Sequence, residues 1–327
     1  MKFISEIASS HNGDIKNVLF LTKKHLMSKS DFIKFQIFKT ENLYQKKEIE
    51  FKEYKKLEIK YKSWEKIINK FKTKTNIILE PFDRDSYKFC EKFSNNVSIK
   101  ISTSETDNSD LIIKALKRFK KIFINFSGYK IMEIKKLLKK INAKKYKKKL
   151  VLMYGFQSYP SKIENYRTNL FDYFRKKNFT FGFADHSIYG FSNDLIISLF
   201  VSISKKCSYF EKHVCKNIND KPDDYIASVE FQDLKKLILI SNHFKKVVSK
   251  NNKNFHKKEK MYIANMHKKI FLTKKLQKGE KLNLNSVKFL RTKKNGFRRI
   301  DILNKKLLAK KSIKKDSFPT LNSFAKK

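Results

Sequence analysis

The 327-residue chain is short of glycine, proline and cysteine, with 7, 4 and 3 respectively, and has only 31 acidic residues against 76 lysines and arginines. The cysteines, Cys90, Cys207 and Cys215, are odd in number and show no CxxC spacing. That excludes a disulfide framework and a structural zinc site, and it fits a reducing compartment. Long apolar runs are also missing. The most apolar helical stretch, DLIISLFVSISK, is too short to cross a bilayer, and Glu6 interrupts the N-terminal apolar run, so no signal peptide is expected. These absences predict a soluble, cytoplasmic protein with no membrane partner.

What is present is a globular composition: 40% of residues are hydrophobic, and 30 are phenylalanine. The formal net charge of +45, taken alone, points to nucleic acid or an anionic membrane surface. The lysines, however, lie along nearly every predicted helix instead of forming a cluster, beside an excess of Asn, Ile and Phe. We read them as solvated faces of a compositionally biased chain, with no nucleic-acid partner. Their field would still attract small anions.

Short β-rich runs alternate with stretches of helical period. FISEIA, DFIKF, NIILEP, VSIKIS, KIFINFS, KLVLMYGF, FTFGFAD and CSYFEKHV each precede a helical segment. After KIFINFS, Ile131, Ile134, Leu138 and Ile141 recur at steps of three and four, the stripe a helix needs to lie on a sheet. The strands are nearly continuous apolar runs, as in a parallel sheet covered on both faces. Eight such units over residues 1–250 predict an α/β fold, a closed (β/α)8 TIM barrel. Residues 251–260, NNKNFHKKEK, are polar and read as a linker. Residues 261–327 carry short β-like segments and are expected to form a small β-rich domain docked on a barrel or a partner subunit.

In such a barrel the active site lies at the carboxyl ends of the strands. Glu6, His11, Lys34, Gln36, Lys100, Glu105, Tyr159, Asp185, His186, Glu211, Lys212 and His213 fall there. Polar side chains in apolar strands are costly to bury unless they are paired or functional. His186 and His213 end successive strands, so they either face one cation at the mouth or are satisfied core histidines. Lys34 and Lys100, in IKF and IKI, sit between apolar neighbours, which favours an anion clamp over bulk surface charge. Glu6 reads equally as a base or an ion-pair partner. In GFADHSIYG, Gly182 is expected to allow close strand packing and Gly190 to relax the loop that aims His186.

Taken in order, these stretches resemble the N-acetylneuraminate (sialic acid) synthase family, which includes the legionaminate and pseudaminate synthases. The likeness is carried by EIASSHNG at 6–13, Lys34-Phe35-Gln36, KISTSE at 100–105, Tyr159-Pro160, GFADH at 182–186, YFEKHV at 209–214 and Pro222-Asp223-Asp224. QKGE and KFLRTKKNG in the tail resemble the family's antifreeze-like (SAF) domain. The resemblance implies a metal-dependent condensation of phosphoenolpyruvate (PEP) with an open-chain N-acylated hexosamine, N-acetylmannosamine or a related sugar. The products would be a nine-carbon 3-deoxy-ulosonic acid and phosphate. It implies that His186 and His213 hold Mn2+ or Mg2+, that Lys34 and Lys100 neutralise the donor anion, and that Glu105 activates water. Glu6, Tyr159 and Asp224 would orient the sugar, and Gln36, Thr103 and Gln157 would contact substrate. Arg291 would cap the other subunit's site in a domain-swapped homodimer.

Some positions depart from the family pattern. Glu80 stands before Pro81-Phe82 where the family has threonine, Phe126 and Ala184 replace serines, and Gln157 replaces asparagine. Each charge-assisted hydrogen bond lost from an anion costs about 1.5–3 kcal/mol. These changes leave open a catalytically degenerate barrel of the same family, acting as a binding or assembly subunit.

Overall fold

The computed structural model describes residues 1–249, 255–303 and 305–326, and the chain divides into two units, Met1–Lys250 and Asn251–Lys327. In the first, β1 (Lys2–Glu6), β2 (Phe32–Ile37), β3 (Asn76–Pro81) and β4 (Ser98–Ile101) are followed by β5 (Ile122–Asn125), β6 (Leu150–Tyr154), β7 (Thr180–Asp185) and β8 (Tyr209–Cys215). All are parallel neighbours in that order, and β8 pairs back onto β1. The cylinder is closed, as the eight-fold alternation predicts. A short β9 (Ser228–Glu230) adds in parallel to the carboxyl end of β8.

Helices α1 (Ile15–Ser28), α2 (Ile49–Leu57), α3 (Tyr61–Phe71), α4 (Arg84–Glu91) and α5 (Ser109–Arg118) form the first part of the outer layer. The rest comes from α6 (Ile131–Lys140), α7 (Asn169–Lys176), α8 (Asn193–Ser204) and α9 (Phe231–Ser249). In α6 the predicted stripe packs inward: Ile134, Leu138 and the flanking Ile141 are buried, and Ile131 packs against the same core. Asp83 caps α4 by accepting from the Asp85 and Ser86 amides, each at 2.9 Å, which satisfies donors that a helix start leaves open. Helix α2 has no counterpart in the sequence reading. It buries no residue, so no apolar stripe announces it.

Side chains alternate between two cores, because successive residues of a strand point to opposite faces. One set packs between the sheet and the helices. The other fills the barrel: Ile4, Phe32, Ile78, Phe123, Val151, Met153, Ala184 and Tyr209 form a separate apolar cluster. Gly182 belongs to this crowded floor, since a Cβ there would lie 2.7 Å from both Met153 Sδ and Tyr209 Cβ. Gly190 has φ +74°, a left-handed conformation that glycine adopts without strain. The close strand packing expected of Gly182 is present, and Gly190 takes the left-handed conformation expected of a loop glycine.

In the second unit, α10 (Lys257–Met266) precedes an antiparallel pair, β10 (Lys268–Leu272) and β11 (Val287–Arg291), and a second pair, β12 (Leu307–Ala309) and β13 (Phe324–Lys326). Ile270, Leu272, Leu276, Phe297, Leu307 and Phe324 make its small core. Helix α10 corrects the reading of 257–260 as linker; its residues are all at least partly exposed, so its sequence shows no buried stripe. Of the expected linker, 251–254 lie outside the described residues. No helix among the described residues is long and apolar enough to cross a membrane.

Candidate active site

Two residues beyond the apolar floor, the same inward faces become charged or polar. Ile4 is followed by Glu6, Phe32 by Lys34, Ile78 by Glu80, Phe123 by Asn125, Ala184 by His186 and Tyr209 by Glu211. Strand periodicity alone places this second tier over the first. Lys34, Glu80, Lys100, Asn125, His186 and Glu211, with His213 one step further along β8, line a central cavity of about 190 Å³.

The base of the cavity is an ion cluster. Lys34 Nζ donates to Glu80 Oε2 at 2.7 Å and to Glu211 Oε1 at 2.9 Å, and it also contacts Glu6. Lys100 Nζ lies 2.7 Å from the same Glu211 oxygen and 3.6 Å from Glu80 Oε1. Burial opposes the Lys100 ammonium, but Glu211 and Glu80 outweigh it and hold its pKa above the ordinary value. Lys34 is equally enclosed and is repelled by Lys100, so its pKa falls below the usual range despite the same two carboxylates. Burial would raise the Glu211 carboxyl, yet Lys100 and Lys34 bring it well below the usual carboxylate range. Its Oε2 is buried with no hydrogen-bond partner among the described residues.

The two histidines stand together at the mouth, with ring centroids 5.5 Å apart. Burial lowers the His186 pKa to about 4, against the opposing hydrogen bond to Phe156. That of His213 lies well below normal through burial and through His186. Both rings are therefore neutral at physiological pH. His186 Nδ1 lies 2.8 Å from the Phe156 carbonyl, which can only accept, so Nδ1 carries the proton and Nε2 keeps a lone pair. His213 Nδ1 is buried without a partner. Two neutral imidazoles, one with an orphaned ring nitrogen, suit a divalent cation. Among the described residues no cluster of three or more His, Cys, Asp or Glu forms a cation cage, so further ligands would come from water or substrate.

A polar chain runs round the rim from β4 to β7. Asn125 Nδ2 donates to Thr103 Oγ1 at 2.9 Å, Ser127 Oγ to Asn125 Oδ1 at 2.7 Å, and Gln157 Nε2 to Ser127 Oγ at 3.3 Å. Tyr159 continues it, donating to Gln157 Oε1 at 3.2 Å and lying 3.4 Å from His186 Nε2. Beside the central cavity is a larger hollow of about 780 Å³, which shares Gln36, Phe82, Tyr159 and His213 with it. Asp224 lines the hollow and accepts from the Ser9 amide at 2.9 Å. Its own burial, with Asp223 nearby, raises its pKa to about 6.

Behind the histidines lies a sealed pair. Lys212 Nζ donates to Asp185 Oδ2 at 2.7 Å and to the Ser187 carbonyl at 3.0 Å, and Ser187 Oγ donates to the same Asp185 oxygen at 2.6 Å. Both ionic side chains are 0% exposed. Burial disfavours both charges: it holds the Lys212 pKa below normal despite Asp185, whereas Lys212 and Ser187 bring the Asp185 carboxyl below normal despite burial. The pair fixes the chain on both sides of His186. His11 is likewise structural, accepting from the Gly13 amide at 2.9 Å and packing edge-on against Trp64.

Of the residues predicted from sequence, Lys34, Gln36, Lys100, Thr103, Gln157, Tyr159, His186 and His213 meet in the central cavity, and Asp224 in the hollow. Three are placed elsewhere. Glu6 is fully buried and bonds Lys34 and the Ala8 amide, so it is an ion-pair partner and not a sugar contact. Glu105 accepts from Asn108 at 3.0 Å and lines an outer groove beside α4 and α5, because the 3-10 turn at Thr103–Glu105 carries it past the rim. Arg291 is exposed at the end of β11 in the second unit. Asn125 was missed, and Glu211 was noted without a role. The i, i+2 step from Phe123 and to His213 could have found both.

Comparison with known proteins adds an independent result. The family model described as NeuB family matches residues 21–253. An uncharacterized protein of Methanocaldococcus jannaschii is 24% identical over 291 residues, covering 88% of this chain and 84% of its own. The N,N'-diacetyllegionaminic acid synthase of Campylobacter jejuni is 26% identical over 310 residues, covering 85% and 86%. The crystal structure of N-acetylneuraminic acid (sialic acid) synthetase from Leptospira borgpetersenii superposes with a TM-score of 0.70 at 20% identity, over 80% of this chain and 89% of that one. With the barrel, the strand-end residues and a family match spanning most of the chain, this protein belongs to the NeuB family.

Proposed function

We propose that the chain is a PEP-dependent nonulosonate synthase, which joins PEP to an N-acylated hexosamine of the N-acetylmannosamine type and releases a nine-carbon 3-deoxy-ulosonic acid and phosphate. Family membership and the likeness to a legionaminic acid synthase support the synthase class. The finer reading rests on one observation: two neutral imidazoles and two lysines line a small cavity that adjoins a larger polar hollow. The small cavity suits a three-carbon phosphorylated acid, and the hollow suits a sugar.

Mn2+ or Mg2+ bound by His186 and His213 would supply Lewis acidity toward the sugar carbonyl. Carbon 3 of PEP forms the new bond to the aldehyde carbon, whose oxygen gains a proton. Water adds at carbon 2 and loses one proton; the bond from carbon 2 to the phosphate oxygen then breaks, its electron pair leaving on phosphate, and the remaining hydroxyl loses its proton to the departing phosphate to give the keto acid. Lys34 and Lys100 attract the donor's anionic groups in a site that excludes most water. Thr103 and Gln157, held by Asn125 and Ser127, present donors at the rim, while Tyr159 and Asp224 orient the sugar between cavity and hollow. Glu105 has no part in this reading.

The second unit is read as the antifreeze-like domain, with Arg291 reaching the site of a second copy in a homodimer. Light scattering that finds only monomers would remove that element. A second reading, a barrel that binds without turnover, is favoured by the carboxylates already paired with both lysines. The deciding assay is phosphate release from PEP and Mn2+ with a panel of N-acylated hexosamines. Release with at least one sugar is expected, and silence across the panel from folded, metal-loaded protein rejects the synthase.

A further inference from the structure

Three carboxyl side chains crowd two lysines at the base of the cavity. Glu6, Glu80 and Glu211 contact Lys34, and Glu80 and Glu211 also reach Lys100, in the place where a phosphorylated acid would have to bind. Their positions differ. Glu6 is sealed beneath Lys34 and does not line the cavity, whereas Glu80 lines it and stands between the two cations, 2.7 Å from Lys34 and 3.6 Å from Lys100. Its Cα is in register with Gln36, which also lines the cavity.

We propose that Glu80 is the specificity-determining residue for the donor's charge: a resident carboxylate that competes with an incoming anion for Lys34 and Lys100. The wild-type cavity then holds a phosphorylated acid less tightly than the two lysines alone would allow. This rests on the donor site proposed above. A charge a few ångströms from a bound anion changes its affinity substantially even at a high effective dielectric, and the effect grows with the anion's own charge. Neutralising Glu80 should therefore help PEP and inorganic phosphate much more than pyruvate.

The test is calorimetric titration of the full chain, wild type and Glu80→Gln, with PEP, inorganic phosphate and pyruvate. Glu80→Gln is expected to tighten PEP and phosphate at least tenfold, about 1.4 kcal/mol, and pyruvate by less than threefold. Equal changes for all three anions, no change, or no binding by either protein would overturn the proposal. A second neutral variant, Glu80→Thr, guards against one that misfolds: it should tighten PEP over pyruvate in the same way, and a folded Glu80→Thr protein with wild-type affinities refutes the idea. The sugar assay on the same proteins separates the two readings. Selective tightening without product keeps the role of Glu80 and rejects the synthase, whereas product without tightening does the reverse.

Discussion

Replacing Lys212 with methionine should unfold the barrel more easily than almost any surface change, because it strands a buried charge. Asp185 and Lys212 lie 2.7 Å apart and are 0% exposed. At an effective dielectric of 20 their attraction is about 6 kcal/mol, of which the burial of both ions consumes a large share. Methionine keeps most of the volume but leaves Asp185 with only neutral partners, the Ser187 and Tyr166 hydroxyls and the Ser187 amide, and removing one member of a buried pair costs about 3–5 kcal/mol. Trp64 is the only tryptophan and is buried against Phe35, so its fluorescence during urea unfolding reports the first unit. Lys212→Met is expected to lose about 3–5 kcal/mol, and Asp185→Asn with Lys212→Met to lose less than the single change. The Asp185 carboxyl is depressed in the folded state, so the pair's contribution is present above its unfolded pKa of about 4 and fades as pH falls through the folded value. A single variant within about 1 kcal/mol of wild type, or a double variant as unstable as the single, would refute this reasoning.

Gly182→Ala puts a Cβ 2.7 Å from Met153 Sδ and Tyr209 Cβ, and it should cost about 1–3 kcal/mol by overpacking in the same urea assay. Burial lowers the pKa of His11 and His25 to about 4. Each is neutral when folded and protonates near pH 6.5 when unfolded. Their stabilisation is thus complete above pH 6.5 and declines toward pH 4, by up to about 1.4 kcal/mol per pH unit for each; urea midpoints that stay flat from pH 7 to 5 would contradict this. Glu105→Gln should leave the PEP dissociation constant within about twofold of wild type, since Glu105 lies outside the cavity, and a larger loss in calorimetry would show that it reaches the donor.

The barrel was legible because its strands obey a two-residue rhythm that survives the lysine-rich background. IKF and IKI each place a lysine between apolar neighbours, and EKH sets Glu211 and His213 on one face, so that these four side chains converge inside the closed sheet. The same rhythm put His186 and His213 side by side. Glu105 escaped it because a 3-10 turn, not a strand, carries that residue, and Asn108 is near enough to hold it outward. Helices α2 and α10 bury nothing, so amphipathic periodicity had no signal to give. The pairing of Glu80 with both lysines depends on three strands meeting inside a cylinder, a relation between distant segments that local pattern does not encode. Asn125 could have been found, since it sits two residues beyond Phe123 on the inward face of β5.

The central claim is that one cavity brings a cation site on His186 and His213 together with an anion site on Lys34 and Lys100. Crystals of the full chain soaked with Mn2+ and PEP, measured at the manganese edge, address it directly. An anomalous peak shared by the two imidazoles, with donor density against the two lysines, is predicted. A manganese peak elsewhere, or donor density bound away from the lysines, would contradict it.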